Sequence, residues 1–308
     1  MAVSGMRESV PAVRPSTGAA VGEHLGLSWD EIHGIMERAV KRGLERRQAE
    51  QVPALGVDEK AFRKGQKYFT LVNDLKRSRV LYVSENGTQA SLDGFWGTLT
   101  EEQVASIQAV AMDMWDPYVA SVREHVAGAE GKIVFDKFHI AKHLGEAVDR
   151  VRRRESKTLR AAGDDRLTGT RYDWLRNPAA MEPKDRQEFA ALRDSNLKTA
   201  RAWALKEAAM ALFSYVYERP ARKHFRWWHG WAVRSRLQPM IETARMLKRR
   251  LENILTYLRH RITNAASESS NSKIQWVKYT ARGFRSKKNF QTAIYFHCGG
   301  LDMAPSCH

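Results

Sequence analysis

Cysteine is almost absent. Cys298 and Cys307 are the two in 308 residues, too few and too late in the chain for a disulfide framework or a complete four-ligand zinc site. No apolar run approaches the roughly 18 residues of a membrane-spanning helix, and the N-terminus lacks the apolar centre of a secretory signal. These absences predict a protein of the reducing cytoplasm with no membrane partner. Acidic residues are also scarce, 35 against 51 Lys and Arg, and past residue 261 only Glu268 and Asp302 remain. No repeat of fixed period, the mark of a stacked-repeat architecture, runs through the chain.

What is present is positive charge, and it is concentrated. The formal net charge is +16, and residues 150 to 261 hold 27 of the 51 basic residues but 12 of the 35 acidic ones. That one segment therefore carries +15 and the whole remainder +1. Such a balance favours a polyanionic partner, with nucleic acid the leading candidate. A chain of 308 residues exceeds the usual single-domain size, so one large core with an insertion, or two to three small domains, is expected.

The texture changes along the chain. Residues 1–18 mix Ser, Gly, Pro and Val without a period and read as disordered. Residues 19–50 read as a helix-turn-helix: Gly26 breaks a helical pattern, and Ser28 with Glu31 three residues on opens the next helix as a capping box. Its second helix is a candidate for a DNA groove, and the plainer reading is an ordinary helical hairpin. From residue 51 come three strand-like runs, "VPALGVDE", "KYFTLVND" and "RVLYVSEN", then helices, the strand "QAVAM", the helix "PYVASVREHV" and the strand "KIVFD". The order β-β-β-α-β-α-β predicts an α/β fold with a mixed sheet, the layout of a ribonuclease-H-like core over residues 51–140. Residues 141–262 read as an all-α basic insertion, and residues 263–308 return to the core.

Aspartates end three of the core strands: Asp58, Asp113 and Asp136. In open α/β sheets the carboxyl ends of strands are where sites form, and carboxylates there can hold hard divalent cations. Asp is also a common turn residue, so each alone is weak. A further carboxylate is Glu268, in the polar stretch "TNAASESSNSKIQ", where it serves either a cleft or a helix N-terminus. His139 follows Asp136 by three residues, at the seam between a strand and an arginine-rich helix. In the basic segment, Arg152, Arg153, Arg154, Lys248, Arg249 and Arg250 are candidates for phosphate contacts. The cluster "KHFRWWHGW" adds Lys223, Arg226, Trp227 and Trp228, either base-stacking aromatics or core.

At these residues a resemblance becomes specific. "LGVDEKAFRKGQKY", "VAMDMWDPYVASVREHVAGAEGKIVFDKFHIAKHL", "RITNAASESSNSKIQ" and "YTARGFRSKKNFQTAIYFHCGG" resemble bacterial insertion-sequence transposases of the ISL-three group, over nearly everything from about residue 20. The resemblance implies a ribonuclease-H-like fold with a helical insertion and metal-dependent DNA cleavage and joining by a D-D-E set, with two Mg²⁺ or Mn²⁺ ions. It implies Asp58 as the first acid and Glu268 as the last. It favours Asp113 as the second, with Asp136 and His139 as a supporting D-x-x-H pair; Asp136 as the second ligand is the alternative.

The partners so implied are transposon ends and target DNA, with a homo-oligomer assembled on DNA at the bacterial nucleoid. Two departures stand against it. The family's N-terminal cysteine-rich zinc segment has no counterpart in the chain, and Ser269 stands where the family has glycine. A truncated, non-catalytic DNA-binding copy is thus the rival expectation, and a host-recruited nuclease a weaker one.

Overall fold

The computed structural model describes residues 23–48, 50–63, 67–176, 181–262, 265–281, 283–284 and 286–305, with 63, 67 and 265–268 described by backbone alone. The expected disorder over 1–18 lies outside the described residues. Residues 23–25 are helical, Gly26 has a positive φ of 66°, and helix α1 spans Trp29–Glu45. The capping box forms as the sequence predicts: the Ser28 hydroxyl accepts from the Glu31 amide, and the Glu31 carboxylate accepts from Ser28 N.

Five strands make one sheet ordered β3-β2-β1-β4-β5. They are β1 Ala54–Arg63, β2 Lys67–Asp74, β3 Arg79–Glu85, β4 Ala109–Met112 and β5 Ile133–Phe135. The first three pair antiparallel, as short turns require, whereas β1, β4 and β5 run parallel through helical crossovers. This is the expected ribonuclease-H-like arrangement. Helices α2 (Gln89–Trp96), α3 (Glu101–Ser106) and α4 (Asp116–His125) fill the crossovers.

The β2–β3 turn is fixed by Asp74, whose side chain is fully buried and accepts from the Lys76 and Arg77 amides, both at 3.0 Å. An unpaired buried carboxylate would be costly, and here Arg77 and Arg79 also pair with it.

Helix α5 runs unbroken over Lys137–Ala161, so the boundary drawn at 141 falls inside a helix that belongs to both core and insertion. Beyond it lie only helices among the described residues: α6 (Arg171–Leu175), α7 (Pro183–Arg193), α8 (Lys198–Met210), α9 (Glu218–Arg234), α10 (Gln238–Arg249) and α11 (Leu251–His260). Glu155 of α5 accepts from the Lys198 and Thr199 amides at 2.7 Å, supplying the N-terminal acceptors that the first turn of α8 otherwise lacks.

The chain then returns to the sheet through α12 (Ala265–Thr280) and α13 (Lys287–Cys298). Two apolar clusters result. One joins Leu55, Val57, Val110 and Phe135 to α4, α5 and the insertion; the other joins Phe69, Leu71 and Val83 to Val40 of α1, Ile274 of α12 and Ile294 of α13.

Both sheet edges are covered, which removes the unpaired backbone that would template aggregation. On β3, Tyr295 Oη accepts from the Val83 amide at 3.0 Å, Gln291 donates to the Val83 carbonyl, and Arg47 donates to the Val80 and Leu81 carbonyls. Burial pushes the Tyr295 phenol up to about 12. On β5, Thr256 of α11 donates to the Ile133 carbonyl at 2.5 Å, and His260 lies 2.8 Å from the Gly131 carbonyl.

Arg42 and Arg46 of the α1 region donate to the Met303 and Ala304 carbonyls, binding α1 to the segment after α13. Gly43 makes this approach possible, because a Cβ there would stand 2.6 Å from Leu301 Cβ. Gly43→Ala is therefore expected to destabilise the chain by about 1–3 kcal/mol, the usual cost of overpacking. Thermal unfolding checks this, and an unchanged melting temperature would refute the tight fit.

Candidate active site

The site begins with strand register. Gly56 pairs with Ala111, and Ala111 with Val134. Two residues further along the three parallel strands stand Asp58, Asp113 and Asp136, which that register, extended, sets at one level; Asp113 and Asp136 directly follow β4 and β5, whereas Asp58 lies inside β1, which continues to Arg63 and does not end there as the sequence suggested. Residues two apart share a face, and adjacent strands lie ~4.8 Å apart. Asp58 and Asp113 are thus one strand spacing apart on the same face, and Asp136 is a second spacing away from Asp58.

The three have different surroundings. Asp113 has a side chain 40% exposed and accepts from its neighbour's amide, Met114 N, at 2.6 Å. Asp58 is half-buried; one oxygen accepts from Glu59 N at 2.7 Å and the other from Asn271 Nδ2 of α12 at 2.5 Å. Asp136 is buried, 3% exposed, and caps α5 by accepting from Phe138 N at 3.2 Å.

His139, one turn into α5, places Nδ1 3.3 Å from Asp113 Oδ2, off hydrogen-bond alignment and with no other partner for that nitrogen. Among the described residues His139 therefore faces Asp113, in place of the pairing with Asp136 that the D-x-x-H spacing suggested. The reason is that Asp136 is turned into its own helix cap.

Helix α12 crosses this face. Lys60 Nζ donates to the Asn271 carbonyl at 3.1 Å and Lys278 Nζ to the Ala61 carbonyl at 3.0 Å, fixing α12 along β1. Glu268 stands in the first turn of α12, three residues before Asn271; its side chain lies outside the described residues. Ser269 is exposed, within the helix, and not among the residues of positive φ. No special backbone angle is needed there, so serine meets no conformational obstacle.

Burial raises the Asp58 pKa, against the Glu59 amide, the His139 charge, Asn271 and Lys60, which all lower it. Glu59 is also raised, by burial and then by the nearby Asp113 and Asp58, while its bond from Tyr118 Oη at 3.2 Å works the other way. Tyr118 is held in turn by Thr70 at 2.8 Å. Glu59, Tyr118 and Asn271 were not singled out from sequence. The polar i, i+3 pair Glu268 and Asn271 was the one available signal for the last.

The basic candidates divide. Arg153, Arg154, Lys223, Arg226, Lys248 and Arg249 are exposed. Arg152 is 12% exposed and holds Asp149 at 2.8 Å. Arg250 is 20% exposed, bonds Asp116 at 2.6 Å and stacks its guanidinium on Phe135. Trp227 is 57% exposed, but Trp228 is 1% exposed, with its indole N–H on the Leu205 carbonyl at 2.8 Å. Trp228 is a core residue rather than a base-stacking one, a correction that follows from helix geometry: adjacent positions on α9 face different ways.

A second group, Asp93, Glu124 and His125, brings ligand-type atoms within 4.8 Å of one another. It lies at the far end of α4 from Asp113. Its members already engage Ser121 and Gln89.

A family model described as a transposase, of the ISL3 DDE group, matches residues 55–294, from the start of β1 into α13 and so through Asp58, Asp113, Asp136 and Glu268. The chain belongs to this transposase family. It is 27% identical over 283 residues to the transposase for insertion sequence element IS1001 of Bordetella parapertussis, covering 90% of this chain and 69% of that protein. It is likewise 27% identical over 292 residues to the transposase for insertion sequence element IS1557 of Mycobacterium tuberculosis, covering 87% of this chain and 65% of that protein. This transposase thus spans about two thirds of the length of these relatives. Its family uses divalent metal, and the donor set fits: Asp58 and Asp113 offer hard oxygen ligands, with Asp113 open to solvent. No helix among the described residues is long and apolar enough to cross a membrane.

The raised pKa of Asp58 has a sign that can be checked in the metal-free transposase. A carboxyl raised on folding stabilises the fold while neutral, and that contribution is lost as pH rises through its folded pKa. Asp58→Asn, uncharged at every pH, is expected to melt higher than the wild type by a margin that grows between about pH 4 and pH 7. A margin that does not change with pH would show that the pKa of Asp58 is not raised on folding.

Proposed function

We propose that this transposase cleaves and joins DNA strands at a centre made of Asp58, Asp113 and Glu268, which hold two Mg²⁺ or Mn²⁺ ions. The observation that carries this reading is the register that sets Asp58 beside Asp113 on the face crossed by α12, the helix that bears Glu268. Bound there, the ions would activate the attacking oxygen and stabilise the leaving one in an in-line displacement at phosphorus. The protein's own part is to hold the carboxylates. Asn271 and the Glu59 amide fix Asp58, the Met114 amide fixes Asp113, and His139 faces the outer oxygen of Asp113.

Two features favour Asp113 over Asp136 as the second ligand. Asp113 is one strand from Asp58 and partly exposed, whereas Asp136 is two strands away, buried, and committed to the cap of α5. Asp136 with His139 then serves as support, fixing the start of the helix on which His139 stands.

The insertion serves as the grip on DNA: Arg153, Arg154, Lys223, Arg226, Lys248 and Arg249 are exposed and neutralise phosphates, with Trp227 exposed among them. Residues 19–50 act as a further DNA-binding element through the exposed Arg38 and Lys41 of α1, and a homo-oligomer assembles on the transposon ends and target.

Asp58→Asn and Glu268→Gln are each expected to lower Mn²⁺-dependent cleavage more than a hundredfold, beyond the roughly 10–100-fold of a supporting residue such as Asn271. DNA affinity should hold in both variants. Calorimetric titration of Mn²⁺ should show weaker binding in Glu268→Gln than in the wild type. Cleavage that survives in either variant removes that residue from the centre.

A further inference from the structure

Two large aromatic residues stand at the rim of the carboxylate row. Trp115 follows Asp113 by two residues as the N-cap position of α4, and Phe138 follows Asp136 by two in the first turn of α5. They are 48% and 57% exposed. Single exposed aromatics are ordinary on protein surfaces, but these two stand at the carboxyl ends of neighbouring strands, each two residues beyond an aspartate of the row. Trp115 is held in place: its indole N–H donates to the Gly87 carbonyl at 2.8 Å. A Cβ at Gly87 would stand 2.2 Å from Glu59 Oε1, so any side chain there would displace the Glu59 carboxylate. Phe138 sets its ring edge-on to His139 at 5.8 Å, and His139 is the residue that faces Asp113.

Phe138 also heads a surface cleft. Lys142, Arg150, Arg153 and Arg171 line it along α5 and α6, against Glu146 and Asp149. Arg153 and Arg171 share Asp149 and Arg150 pairs with Glu242, yet the four cations outnumber the two carboxylates of the lining, and that excess suits phosphates while the ring at the head of the cleft suits a base. An unpaired DNA strand has both, whereas a duplex keeps its base faces stacked away from solvent.

We propose that Trp115 and Phe138 clasp unpaired nucleobases on either side of the phosphodiester presented to Asp58 and Asp113, the strand continuing along the basic cleft of α5. The proposal rests on the catalytic reading above and adds to it the form of the substrate: DNA unpaired at the position of cleavage. It also moves the base-stacking role from the helix of Trp227 and Trp228 to the edge of the sheet.

The test uses the full chain and two probes of equal length, a single-stranded dT12 carrying one 5-iododeoxyuridine and an abasic strand that keeps the phosphates. Wild type is expected to bind the thymine strand about tenfold more tightly, ~1.4 kcal/mol, within what base stacking supplies. Trp115→Ala and Phe138→Ala should each lose most of that preference and keep the affinity for the abasic strand. Trp115→Phe, which loses the bond to Gly87 but keeps a ring face, should retain the preference. Photocrosslinks are expected at Trp115 or Phe138.

The clasp is overturned by equal binding of both strands, by alanine variants that keep the preference, or by adducts only at other exposed aromatics such as Trp227 or Trp276. A chain that cleaves DNA through Asp58 yet shows no base preference overturns the clasp alone. A chain that shows the preference through these rings yet cleaves nothing keeps the clasp and overturns the catalytic reading.

Discussion

The parallel pairing of β1 with β4 and of β4 with β5 is the constraint from which the rest follows. Backbone hydrogen bonds there are laid down by Ala, Gly, Leu, Val, Met, Ile and Phe, residues with no chemistry of their own here, and they set three aspartates at one level. A slip of one residue in either ladder would turn a carboxylate to the opposite face. The register is secured because the strands are buried on both sides: every residue of β4 and β5 is buried, so a slipped pairing would drive apolar side chains out of their packing.

Gathering carboxylates at one sheet edge has a cost, because like charges repel and burial disfavours ionisation. The molecule moderates it with donors rather than with cations alone. Backbone amides meet Asp58, Asp113 and Asp136, an Asn271 amide meets Asp58, and a tyrosine hydroxyl meets Glu59. Burial still raises the pKa of Asp58 and of Glu59, and at Glu59 the nearby Asp113 and Asp58 add to the rise.

The insertion is tied to that centre and is no free appendage. It leaves the core as the same helix that Asp136 caps, and it returns through α11, which satisfies the open edge of β5 with Thr256 and His260. Its arginines serve two roles. Arg152 and Arg250 are turned inward to Asp149 and Asp116, and Arg153, though exposed, pairs with the same Asp149 at 3.2 Å, whereas Arg154 and Arg249 remain on the surface. Net charge counts the two kinds alike, so the +15 of this segment overstates the cations free to meet a phosphate.

The sequence by itself determined the elements and their chemistry. Strand runs, the capping box at Ser28, the helical insertion and the strand-ending aspartates are all local patterns, written in side-chain period and turn residues. The second strand was read to the residue, whereas the first, read over residues 52–59, runs from Ala54 to Arg63. Tertiary structure decided what local pattern cannot carry. It decided that Trp228 packs inward while Trp227 faces solvent, that His139 meets Asp113, and that Asn271 holds Asp58 across 213 residues of chain. Each depends on which face of a helix meets which strand, and that is set by the burial of apolar surface over the whole molecule, not by any window of the sequence.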